Sequence, residues 1–255
     1  MAEAPVVIVT RPEREAGPWA SALLSHGVRT EILPLIQIAP LPDAAALRAV
    51  WQQVPQQLAV MFVSANAVRF FMAARPDGLD LRACRAWSTG PGTQAALLAC
   101  GWPANQIDSP DADSSQFDSE ALWQRVAKQV NVGQPVLIVR GHDVCSDADR
   151  SDKSVAMDAS HTAPSNGTGR DWLAQQLQAA GASAQFVVAY ERRAPVWSAA
   201  QVAQAQQAAS DGSVWCFSSS QAIQHLAQLL PTQSWAKARC VATHARIAQT
   251  AQALG

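Results

Sequence analysis

Met61-Phe62-Val63-Ser64-Ala65-Asn66-Ala67-Val68 and Cys216-Phe217-Ser218-Ser219-Ser220-Gln221-Ala222-Ile223 carry one pattern: an apolar run, small hydroxylated residues, then a helical period. The likeness extends outward from these two stretches. Thr89 lies 25 residues after Ser64, and Thr243 lies 25 residues after Ser218. Each threonine precedes a helical segment, one ending at Gly101 and the other at Gly255. Upstream, Val7-Ile8-Val9-Thr10-Arg11 matches Leu137-Ile138-Val139-Arg140, and Gly27 to Pro40 runs parallel to Gly181 to Pro195. Preserved order and spacing predict two similar α/β halves rather than one large sheet, with a cleft between them.

Bulk composition agrees. A chain of 255 residues, 49% hydrophobic and 15% charged, can build two ordinary cores and is not disordered. A net charge of −1 excludes the global basic field of a nucleic-acid or membrane-surface binder, so any anion site must be built locally. The five cysteines are scattered without a C-x-x-C pair, and the histidines add no ligand spacing. Buried free thiols in a reducing compartment are the better reading, and no metal is expected. The first residues carry neither a basic nor an apolar leader region, and no apolar run is long enough to cross a bilayer. The expectation is a cytoplasmic monomer.

Strands are predicted over Val6–Thr10, Val60–Val63, Ala86–Ser88, Gln106–Ser109, Val136–Arg140, Gln185–Tyr190, Val214–Phe217 and Arg239–Ala242, alternating with helices. Alternation of this kind gives parallel sheets with right-handed crossovers, each half flavodoxin-like. The extended segments Thr30–Ile38 and Gln185–Tyr190 hold equivalent places and are the natural crossings, a two-stranded connector. On this reading 1–37 with 191–255 form one discontinuous domain and 40–186 the other. Asp143–Gly169, polar and without an apolar period, reads as a mobile insert. A strand and helix follow Gly101 but nothing follows Gly255, so the C-terminal half is expected to lack its last strand–helix unit, as a truncated product would.

Ligands of open parallel sheets gather beyond the carboxyl ends of the strands. Those ends carry Arg11, Ser64, Ala65, Asn66, Gly90, Thr93, Arg140, Ser218, Ser219, Thr243 and His244. Small residues admit a ligand to the backbone, helix starts offer N–H groups, and Arg11 and Arg140 add charge, which together suit an anion. The same Ser, Thr and Asn residues cap helices in any α/β protein, so the residues alone leave both readings open. Tyr190, the one tyrosine of the chain, ends a crossing strand, where its phenol can donate a hydrogen bond or simply sit at a domain seam. No phosphate loop, dinucleotide fingerprint, nucleophile elbow or carboxylate pair is present, which leaves covalent, metal and redox catalysis without support. The tryptophans Trp19, Trp123, Trp172 and Trp235 fall at helical core spacing and read as packing.

An ordered set of segments resembles the uroporphyrinogen-III synthase family over nearly the whole chain. The set is Val6-Val7-Ile8-Val9 into Thr10-Arg11-Pro12, Phe62 to Val68, Gly90-Pro91-Gly92-Thr93, Val188-Ala189-Tyr190-Glu191-Arg192, Phe217-Ser218-Ser219 and Thr243-His244. The resemblance implies two α/β domains on a two-stranded connector and a linear tetrapyrrole substrate, hydroxymethylbilane. It implies closure of that substrate to uroporphyrinogen III with inversion of the last ring and loss of water, without a cofactor. Tyr190 then matches the family tyrosine that assists hydroxyl departure. Ser64, Thr93 and Ser218 match hydroxylated site positions, and Thr243 and His244 resemble the last turn of one branch. Transient contact with the enzyme that supplies the substrate fits such a role. The insert and the short C-terminal half depart from the family pattern. Two other classes stay open on the residues: a two-lobed module that binds an anionic small molecule without chemistry, and a regulatory domain of a larger protein.

Overall fold

The computed structural model describes residues 4–111, 114, 117–144 and 169–255. Cα packing divides them into two compact units, 4–38 with 192–255 and 39–144 with 169–191. The chain changes unit inside β3 (Gln37–Pro40) and inside β8 (Ser183–Arg193). The segment 145–168, which holds nearly all of the insert expected from the sequence, lies outside the described residues.

The first unit carries a four-stranded parallel sheet ordered β10-β9-β1-β2, from β1 (Val7–Val9), β2 (Thr30–Ile32), β9 (Val214–Phe217) and β10 (Arg239–Ala242). The helices α1 (Glu13–Ser25), α7 (Ala199–Ala208), α8 (Ser220–Leu229) and α9 (Ala245–Gln252) join and cover the strands. The core gathers Ile8, Leu33, Leu35, Trp215, Phe217, Ile223, Leu226 and Ile247. Read from β2, the order is 2-1-3-4, the first four strands of the flavodoxin arrangement.

The six-stranded sheet runs β3-β8-β7-β4-β5-β6, adding β4 (Ala59–Phe62), β5 (Arg85–Ser88), β6 (Ile107–Asp108) and β7 (Pro135–Asp143). Its helices are α2 (Ala45–Val50), α3 (Ala65–Ala73), α4 (Pro91–Ala99), α5 (Ser119–Val126) and α6 (Gly169–Ala179). If β7 and β8 are counted first, β8-β7-β4-β5-β6 is the flavodoxin order, permuted so that the chain enters at β4. The halves therefore correspond as β1 to β7, β2 to β8, β9 to β4 and β10 to β5, the correspondence implied by the repeated sequence pattern. Among the described residues β6 has no counterpart strand in the smaller sheet. All four residues of β4, and Val136 to Val139 of β7, are buried, as central parallel strands covered on both faces must be.

Local chemistry sets the element ends. Asp118 caps α5 by accepting the Ala121 N–H at 2.9 Å, as its position before an apolar period predicts. The extended stretch 30–38 divides into β2 and β3, which belong to different sheets. The division falls at Pro34, which has no N–H to give a ladder. Leu33 and Leu35 donate on either side of it to Val9 O (3.0 Å) and Thr10 O (3.1 Å). Helix α2 ends at Val50, where Trp51–Gln56 tightens into a 3-10 helix containing Pro55. Trp123 and Trp172 pack against the core of the larger sheet, but Trp19 is 36% exposed beneath the Arg11 guanidinium, and Trp235 lies outside any helix.

Cys84, Cys100, Cys216 and Cys240 are free thiols. Burial pushes the Cys84 thiol up from 9.0 to about 12, against a smaller lowering by a backbone hydrogen bond. The folded state then holds this proton where the unfolded chain releases it, so Cys84 stabilises the fold fully below pH 9.0 and loses that contribution as pH rises toward about 12. Urea midpoints should fall between pH 8.5 and 10.5, and the Cys84→Ala variant should show a shallower decline. Equal slopes would assign the alkaline loss to other groups.

Among the described residues no helix is long and apolar enough to cross a membrane, and no cluster of His, Cys, Asp or Glu could hold a metal ion.

Candidate functional site

In both sheets the order reverses beside the first strand of the flavodoxin count, between β7 and β4 in the larger unit and between β1 and β9 in the smaller. Such switch points open at the carboxyl ends of the strands and are where ligands of this fold class bind. The residues singled out from the sequence fall at or beside these ends.

In the larger unit Ser64 follows β4 and caps α3, its Oγ accepting the Ala67 N–H at 3.1 Å. Its hydroxyl also meets the Tyr190 phenol, Oγ to Oη, at 3.1 Å. Tyr190 stands on β8 and is 4% exposed. One face of its ring stacks on Phe70 of α3, with centroids 5.6 Å apart and planes at 22°. Gly141 of β7 lies against the ring, and a Cβ built on it would sit 2.5 Å from the tyrosine Cζ. Ala65 and Asn66 form the first turn of α3, where Asn66 Oδ1 accepts from Arg69 Nη1 at 3.0 Å. Arg140 adjoins Gly141, and its guanidinium lies 5.0 Å from the Phe186 ring centroid. No carboxylate among the described residues forms an ion pair with it. Neighbouring β5 leads into α4 through Gly90, which is buried with an extended backbone. Gly90 O accepts the N–H of Thr93 at 3.1 Å, and Thr93 is itself 6% exposed.

In the smaller unit Thr10, at the end of β1, donates its hydroxyl to Cys216 O at 2.7 Å and ties the first strand to β9. Arg11 is occupied: Glu15 accepts from its Nη2 at 3.0 Å and from its Nε at 3.3 Å, while the guanidinium covers Trp19 at 4.8 Å. An anion docking on Arg11 must compete with that carboxylate. Ser218 and Ser219 lead from β9 into α8, and Ser219 takes the cap position without a side-chain cap bond. Thr243 and His244 follow β10, are exposed, and pair Oγ1 to Nδ1 at 3.0 Å, with His244 at the cap of α9. Ser64, Asn66, Arg140 and Tyr190 thus gather at one switch point, Gly90 and Thr93 at the adjoining strand end, and Arg11, Ser218, Ser219, Thr243 and His244 at strand ends of the other unit.

Phe70 and the steric role of Gly141 escape sequence reading. Phe70 counts there as one more apolar position of a helix, and the glycine matters only once strand register places it beside Tyr190. Among the described residues the arrangement offers hydroxyls, a phenol and the Arg140 guanidinium, which pairs with no carboxylate. It can hold carboxylates and move a proton.

The uroporphyrinogen-III synthase HemD family model matches residues 17–149 and 159–255. A curated uroporphyrinogen-III synthase from Chlorobaculum parvum is 32% identical over 94 residues, a match covering 34% of this chain and 35% of that protein. The aligned part is therefore about a third of the relative's length. Among solved structures, a mutant uroporphyrinogen III synthase of Thermus thermophilus superposes with a TM-score of 0.52 at 13% identity, over 99% of this chain and 90% of the other. The Helicobacter pylori uroporphyrinogen-III synthetase gives 0.51 at 13%, over 98% and 89%. The structural likeness establishes a shared α/β fold, and with the family model spanning nearly the whole chain the protein belongs to the uroporphyrinogen-III synthase family.

Proposed function

We propose that this chain cyclises hydroxymethylbilane to uroporphyrinogen III, in the porphyrin branch of tetrapyrrole biosynthesis, with Tyr190 assisting departure of the terminal hydroxyl. The observation that carries the reading is the phenol at the switch point of the larger sheet, held against Ser64 at 3.1 Å. A hydroxyl has one hydrogen and two lone pairs. Ser64 spends one lone pair on the Ala67 N–H and keeps a hydrogen and a second lone pair for the Tyr190 oxygen. With Ser64 as donor of that bond, the Tyr190 O–H is turned to an incoming acceptor, the leaving hydroxyl.

The chemistry balances with these groups alone. The terminal C–O bond breaks as the hydroxyl takes a proton and leaves as water. The resulting cation bonds to the substituted carbon of the far pyrrole, and the spiro intermediate fragments and recloses in the inverted sense. Loss of a ring proton restores the charge. The enzyme needs to bend the substrate, hold its carboxylates and donate one proton. Arg140, the first turn of α3 at Ala65 and Asn66, and the turn at Gly90 and Thr93 are placed to hold carboxylates. So are Arg11, Ser218, Ser219, Thr243 and His244 on the smaller sheet. No cofactor is required. We read 1–37 with 191–255 and 40–186 as the two domains, and the protein as a cytoplasmic monomer that meets the preceding enzyme only transiently.

A coupled assay tests this. Hydroxymethylbilane is generated in the presence of the protein, and the products are oxidised and separated. Isomer III is expected in excess over the spontaneous isomer I. Isomer I alone, with tryptophan fluorescence still reporting binding of a carboxylated tetrapyrrole, would instead establish a binding module without chemistry.

A further inference from the structure

Gly141 stands on β7, between β8, which carries Tyr190, and β4, which leads into Ser64. The β4–β7 register ends with Phe62 paired to Val139, and Ser64 and Gly141 each follow two residues later. Between β7 and β8, Ser183 N donates to Gln134 O at 3.1 Å where the two strands begin, and further along them the Tyr190 ring lies against Gly141. Tyr190 thus starts from a strand two spacings from the one that leads into Ser64, about 9.6 Å at about 4.8 Å per strand. Their hydroxyls meet at 3.1 Å because the tyrosine ring lies across the intervening strand. Only a residue without a side chain leaves that path open: a Cβ on Gly141 would lie 2.5 Å from Tyr190 Cζ, 2.6 Å from Cε2 and 2.9 Å from Oη. The Gly141 φ lies outside the positive range, so the phenol and not the backbone demands glycine here. An aromatic ring laid over a strand glycine also restores the burial that the missing side chain forfeits. Phe70 holds the ring from α3, stacked at 5.6 Å, and α3 is the helix that Ser64 caps.

We infer that Gly141 and Phe70 are positioning residues: the glycine opens the path across β7, and the phenylalanine pins the Tyr190 ring so that its hydroxyl stays at Ser64. Their effect on turnover rests on the cyclisation proposed above; their effect on the phenol does not.

Because Tyr190 is the one tyrosine, protein grown on tyrosine labelled with carbon-13 at Cζ gives a single phenol signal that reports hydrogen bonding at Oη. Gly141→Ala should move that signal, as should Ser64→Ala, and should lower kcat about tenfold with KM within about twofold, the pattern of a lost transition-state contact. In a Tyr190→Ala background the ring is gone, so Gly141→Ala should then cost less than twofold in kcat. Phe70→Leu, which keeps bulk but not the stack, should move the signal and lower kcat severalfold, and it carries the test if Gly141→Ala does not fold. An unmoved Cζ signal in the folded variants would overturn the inference. So would an equal loss of kcat from Gly141→Ala with or without the tyrosine ring. If the wild-type protein forms no isomer III, the reading of the activity fails, while the Cζ signal still decides the cradle.

Discussion

Tyr190→Phe is expected to lower kcat for isomer III formation about 10²-fold, at the low end of what a positioned proton donor contributes. KM should stay within about twofold. Phenylalanine keeps the ring, so the stack on Phe70 and the packing over Gly141 persist. Ser64 loses one partner but still accepts the Ala67 N–H and still caps α3. The stability cost is therefore that of a single exchanged hydrogen bond, about 1 kcal/mol, too small to account for the loss of rate through unfolding. Steady-state kinetics by product isomer, with a urea titration alongside, separate the two. A kcat within twofold of wild type would remove the phenol from the chemistry. A rise in KM at constant kcat would mean that the phenol binds substrate and transition state equally.

Trp51→Ala is expected to destabilise the protein by about 4 kcal/mol, within the range for truncating a buried aromatic. Trp51 is fully buried, stacks on Phe71 with centroids 4.2 Å apart, and donates its Nε1–H to Phe71 O at 3.1 Å. Phe71 in turn meets Phe62 edge-on at 5.6 Å, so the indole supports the helix and strand that present Ser64. Its removal leaves a cavity that the surrounding helices can only partly close, a large share of the about 5–15 kcal/mol that holds a typical domain. Trp51→Phe should cost only about 1–2 kcal/mol. Stacking survives in that variant, and Phe71 O keeps the Ala74 N–H at 3.1 Å, so no carbonyl is orphaned. Urea unfolding of both variants checks the pair. A loss below about 1 kcal/mol for the alanine variant would show that the site collapses and that the indole is replaceable.

Much of this molecule was legible in one dimension because its signals are local. β9 and β10 begin and end where the apolar runs do, since β-rich segments bounded by turn residues mark themselves. The cap at Asp118 and the helix after Ser64 follow from side-chain oxygens reaching N–H groups a few residues away. The repeated pattern around Ser64 and Ser218 placed both segments at strand ends, and β4 and β9 do hold equivalent places in their sheets. Where the reading erred, a local feature was weighed against the wrong partner. Thr30–Ile38 read as one extended crossing segment, and the structure divides it at Pro34 between two sheets. Trp19 looked like core until Arg11 was seen to cover it and Glu15 to hold that arginine in place.

The sequence by itself determined the elements, their alternation, the family and the residue types at the strand ends, because propensity, capping and hydrophobic period act over a few residues. Tertiary structure alone decided which ends become neighbours. Residues 64, 141 and 190 share no local pattern; they meet because the strand order and register of the sheet bring distant segments together. A one-residue slip would turn the side chains to the other face. That register makes a glycine of β7 the passage for a phenol of β8 to reach a serine after β4.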